Sequence, residues 1–141
     1  MTQEDKELLL KDLCARLPYG VKVLVDNKCW CDFNGRTPSK ITFDNCYRLL
    51  FLGTKLGYVK PYLFPLSSMT EEQKEELRQM NAFVNAFGQI CFFTYDDYGH
   101  ELMPTFEDVI RITNWLNKGH WDYRGLIEKG LAIDATGLNI Y

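Results

Sequence analysis

"VKPYLFPLSSMTEEQKEELRQM", residues 59–80, decides the fold class. Its first half reads as extended chain and its second half as helix. Pro61 and Pro65 suit a central strand poorly, because proline offers the ladder no N–H. Ser68 with Glu71, or Thr70 with Gln73, then places a hydroxyl and its partner three residues apart, the pattern of a capping box. Glutamates at 71, 72, 75 and 76 crowd the start of this helix, where the dipole favours negative charge. Leu77, Met80, Phe83, Val84 and Phe87 continue at helical spacing and predict a buried stripe that Gly88 terminates. Extended chain thus feeds straight into a capped helix.

Upstream, Thr2 and Asp5 open a helix in which Leu9, Leu10, Leu13, Cys14 and Leu17 recur at helical spacing. Pro18 stops it and Gly20 turns the chain. "VKVLVD" alternates, with Val21, Val23 and Val25 on one face. "KCWCDF" alternates as well, Asn34-Gly35 is a hairpin turn signal, and "KITF" and "CYRLLFL" predict further strands. Downstream, "ICFFTYD" reads as a strand and "DYGHELMP" as a turn and loop. Thr105 with Asp108 caps a last long helix, whose inward face is predicted as Phe106, Val109, Ile110, Thr113 and Leu116, with Gly119 at its end. The early strands are consecutive and short-linked, so they should pair antiparallel. The expected fold is α+β: a small, mainly antiparallel sheet packed against two to three helices, in a single globular domain spanning residues 1–141.

Composition narrows the function classes. With 46% apolar and 25% charged residues the chain is globular rather than disordered. A net charge of −3 and a pI near 5.4 argue against nucleic acid as partner, since phosphate backbones call for a basic face. The acidic, amphipathic N-terminus is unlike a signal peptide, and no apolar run is long enough for a membrane span. Cysteines at 14, 29, 31, 46 and 91 are odd in number. A cytoplasmic location and reduced, buried thiols are therefore expected.

Most catalytic signatures fail on spacing. No glycine-rich loop is followed by the lysine that a phosphate cradle needs. Cys29-x-Cys31 lacks the two-residue gap of a zinc knuckle or redox pair. Asp96, Asp97, His100 and Glu101 could ligate a metal or share acid–base work, but that is also ordinary turn composition. No catalytic residue, metal ligand or cofactor is assigned.

The segment after the last helix, "NKGHWDYRGLIEKGLAIDATGLNIY", packs His120, Trp121, Asp122, Tyr123 and Arg124 side by side. On one reading Asp122 caps a short turn, the aromatics pack at a rim and Arg124 pairs with an acid. On the other, His120, Trp121, Tyr123 and Arg124 form a contact surface, because Trp, Tyr and Arg dominate interface hot spots. A weaker version has Trp121 or Tyr123 stacking on a base, with Arg124 on phosphate. The contact surface makes these four the candidate binding residues.

Three blocks, "LLLKDLCARLPYGVKV", "VKPYLFPLSSMTEEQKEEL" and "WLNKGHWDYRGLIEKGLAIDA", resemble a family of small proteins from phages and mobile elements of gut anaerobic bacteria. The resemblance implies a mobile-element accessory protein and carries over no catalytic residues. The function expected is non-enzymatic: binding of a host or phage protein, in host takeover or counter-defence. The alternatives are a small-molecule or nucleotide binder that sequesters a signal, and a small hydrolase.

Overall fold

The computed structural model describes residues 2–25, 39–40 and 59–141. The strands expected within 28–33 and beyond Lys40, the Asn34-Gly35 turn, and Cys29, Cys31 and Cys46 lie outside the described residues. The fold is α+β, with helices α1 (Gln3–Arg16), α2 (Glu71–Gln79) and α3 (Phe106–Lys118). The strands are β1 (Lys22–Val25), β2 (Ser39–Lys40), β3 (Val59–Leu63), β4 (Ala82–Val84), β5 (Ile90–Phe92) and β6 (Ile133–Asp134).

All three helices begin as their local sequence dictates. Thr2 with Asp5, Thr70 with Gln73, and Thr105 with Asp108 each close a reciprocal capping box. Each box satisfies two amides that the helix itself leaves orphaned. After α1, Pro18 sits in a 3₁₀ turn over Leu17–Tyr19, and Gly20 takes the left-handed conformation (φ 66°) that a side chain would resist.

One sheet runs in the order β2-β1-β3-β6. β1 pairs antiparallel with both β2 and β3, whereas β3 pairs parallel with β6 from the tail. The parallel pair departs from the purely local antiparallel scheme, because its partner is drawn from 71 residues downstream (Tyr62 opposite Ile133). β3 also departs from expectation by lying between two partners despite Pro61, which is fully buried. β6 reaches only Tyr62 and Leu63, so at Pro61 the edge of β3 on that side has no described partner, and a missing donor is tolerated there.

The buried apolar residues form two clusters, one of them built on this sheet. Leu9 and Leu13 of α1 pack with Val21, Val23, Val59, Leu63, Leu126 and Leu131. Leu66, Met69, Leu77, Ala82, Ile112, Leu116 and Trp121 form the second. The alternation of Val21 and Val23 is therefore realised as read.

The predicted helical stripe from Leu77 to Phe87 is corrected. α2 ends at Gln79, Asn81 adopts φ 62°, and the chain turns back as the hairpin β4–β5. Asn85 organises the hairpin tip, its Oδ1 accepting from the amides of Phe87 and Gln89 at 2.9 Å. Phe87 is 87% exposed at that tip rather than buried on a helix. Gly88, at φ 73°, serves the hairpin turn and not a helix end.

Candidate functional site

The closing cluster is assembled by α3 and the tail. Gly119 ends α3, and a Cβ there would come within 2.5 Å of the Trp121 indole nitrogen, so glycine is what lets the indole fold back on the helix end. Phe64 and the tail exchange backbone bonds: Phe64 N donates to His120 O (2.9 Å) and Asp122 N donates to Phe64 O (2.8 Å). Asp122 then accepts from the amides of Leu126 and Ile127 at 2.8 and 2.9 Å, which caps the turn that follows.

Exposure decides between the two readings of the cluster. His120 is 8% exposed and Trp121 5%, while Tyr123 and Arg124 are half-buried. Arg124 pairs with Asp12 at 3.4 Å and lies over the Tyr123 ring. A contact surface needs at least two of the four exposed and an arginine held free for its target; the geometry is that of a packed rim instead. Trp121 lies against Phe64 and Trp115, with ring centroids 5.8 and 6.3 Å away.

Beneath the rim is a buried polar network that the sequence did not announce. Asp12 and Arg16, one turn apart on α1, are both fully buried and joined at 2.8 Å. Arg16 Nη2 donates to the Trp121 carbonyl at 2.7 Å, which ties α1 to the tail. His120 stacks on Tyr141 at 3.8 Å, and the Tyr141 hydroxyl donates to Tyr62 O while accepting from Lys22 N. Burial, and then the Arg16 charge, hold His120 down at about 4 against an ordinary 6.5. Burial likewise pushes the Tyr141 phenol up to about 12.

The Asp96–Glu101 segment is a turn. Asp96 Oδ1 accepts from the amides of Tyr98 and His100 at 2.9 and 2.8 Å, and Oδ2 meets His100 Nδ1 at 2.9 Å. The backbone bond from His100 holds the Asp96 carboxyl below its usual range. His100 projects into solvent rather than a cleft. Among the described residues no group of three or more His, Cys, Asp or Glu side chains could hold a metal ion. Cys14 is exposed on α1 and Cys91 half-buried, so the expectation of buried thiols is corrected for Cys14.

The feature that stands out lies on α3. Its predicted inward face points outward: Phe106 is 90%, Ile110 58% and Val109 43% exposed. Ile112, roughly 160° round the helix from Ile110 at 100° per residue, is the buried residue instead. Of the predicted set only Leu116 is buried. Met103, just before the helix, extends the apolar strip. The sequence leading into and along α3 is acidic: Asp96, Asp97, Glu101, Glu107 and Asp108 stand against Arg111, which is paired with Asp108 at 3.0 Å, and Lys118 at the far end of the helix.

No protein-family model, curated protein or solved structure matches the chain. No described helix is long and apolar enough to cross a membrane.

Proposed function

We propose that this chain is a non-enzymatic binding protein that docks on another protein through the outer face of α3. The observation that supports this is the strip Met103, Phe106, Val109 and Ile110, exposed on a helix whose opposite side is already buried. Isolated exposed apolar residues are ordinary, but a contiguous strip at helical spacing is how helices present anchors to a groove. The occupant is a protein groove lined by apolar side chains and rimmed by Lys or Arg, since Glu107 adjoins Phe106 in the chain, Asp97 and Glu101 shortly precede it, and none of the three is in an ion pair among the described residues. That the partner is a host or phage protein rests on the resemblance of the three sequence blocks alone.

The test is affinity capture from gut-anaerobe lysate with the native chain and with a Phe106→Asp, Ile110→Asp variant. The expected result is a partner retained by the native chain and lost by the variant, whose melting temperature is unchanged. A partner held equally by both, or a variant that fails to fold, would overturn the reading.

A further inference from the structure

A second feature lies round the helix from the docking strip. The start of α2, the last turn of α3 and the Thr136–Gly137 loop enclose an open groove of about 610 Å³. Trp115 and Trp121 line it, their rings 19° from parallel. Thr70, Gln73 and Glu76 from α2 and Lys118 from α3 form its polar rim. We infer that this groove binds a neutral polyhydroxylated ring, the sugar unit of a glycan, against the Trp115 indole.

The polar groups are oriented yet keep capacity to spare. Trp115 Nε1 donates to Glu76 Oε2 at 3.0 Å, which fixes the indole and leaves Oε1 able to accept a hydroxyl through a charge-assisted bond. Gln73 Oε1 accepts from Thr70 N at 2.8 Å, so its amide nitrogen remains a donor. Lys118 forms no ion pair among the described residues and adds further donors. An aromatic wall with donors and acceptors spaced along its edge matches a ligand that is apolar on its ring face and polar all round its rim. The volume is in the range of small-ligand sites.

Charge argues against an anionic ligand such as a nucleotide. Its lining carries one ammonium, Lys118, and one carboxylate, Glu76, and so no net positive charge. The helix start that faces the groove has two of its amides taken up by the Thr70–Gln73 capping box and carries Glu71 and Glu72 in its first turn. A phosphate would find no net positive potential there.

The experiment uses the full chain on a glycan array. Calorimetry and tryptophan fluorescence with cellotetraose, chitotetraose and maltotetraose follow, with adenosine monophosphate as the anionic planar control. The expected result is saturable binding of at least one oligosaccharide with a change in indole emission. Glu76→Gln and Gln73→Ala should each weaken it by about tenfold or more, as loss of an oriented hydrogen bond does, without altering the melting temperature. Trp115→Ala should abolish it; if that variant does not fold, the two rim variants decide. Absence of any bound glycan, binding indifferent to both rim variants, or tighter binding of adenosine monophosphate would each overturn the inference. None of these outcomes touches the docking strip, which lies roughly 140° from Trp115 at Ile110.

Discussion

At the scale of single residues, the closing cluster behaves as framework. Replacing Trp121 by Ala should cost about 3–5 kcal/mol, the range for truncating a buried aromatic. Asp12→Ala should cost a similar amount, because it leaves the buried Arg16 guanidinium without its counter-charge. Urea unfolding of the two variants checks both; a cost under about 1 kcal/mol for either would return the cluster to the surface. His120 supplies a pH signature. Its folded-state value of about 4 lies below the ordinary 6.5, so between those values the unfolded chain binds a proton that the folded chain refuses. Stability should therefore fall as pH drops from 6.5 toward 4, by up to about 3 kcal/mol. His120→Asn, which tolerates the φ of 58° at that position, should flatten that slope. Equal slopes in urea melts of the two proteins would contradict the assignment. Asp5, Asp96 and Asp108, whose folded values lie below 3.8, lose their own stabilising contribution from about pH 5 downward, so the His120 slope is read between pH 6.5 and about 5 and by difference from His120→Asn.

At the scale of elements, what the sequence makes legible follows from how local the determinant is. Helix starts were readable because a capping box is complete within four residues. The buried face of α3 was not readable, because the helix is apolar on two sides. Phe106, Val109 and Ile110 fit one stripe, Ile112 and Leu116 another, and periodicity alone does not say which side the rest of the chain covers. The same ambiguity produced a helix over Met80–Phe87, where a short apolar run suits either period and Asn81 turns the chain into a hairpin. The burial of Asp12 and Arg16 is not legible for a related reason: an i,i+4 acid–base pair on a helix reads as a solvated face. The corrected faces make a paired prediction. Phe106→Ala and Phe87→Ala should change stability by no more than about 0.5 kcal/mol, as exposed positions do. Ile112→Ala and Leu77→Ala should cost about 2–5 kcal/mol each. Parallel denaturant melts decide it, and comparable losses at Phe106 and Ile112 would show that both stripes are covered.

At the scale of the whole molecule, the chain spends its aromatic residues unevenly. Phe64, Trp121 and Tyr141 knit the tail to β3, and Arg16 bolts α1 to the same point. That leaves α3 anchored by one side and by its C-terminal end, with its acidic, apolar outer side presented to solvent. His120, Trp121, Tyr123 and Arg124 are hot-spot residue types packed into the framework, whereas the strip on α3 carries core-type side chains out to solvent. A photo-cross-linking residue placed at Ile110, with the same residue at exposed Glu72 of α2 as the reference, tests the docking face most directly. In gut-anaerobe lysate, position 110 should give a discrete adduct with one heterologous protein, mapped to an apolar segment flanked by Lys or Arg, and position 72 should not. Equal labelling from both positions, or an adduct with a second copy of this chain, would contradict the role assigned to α3.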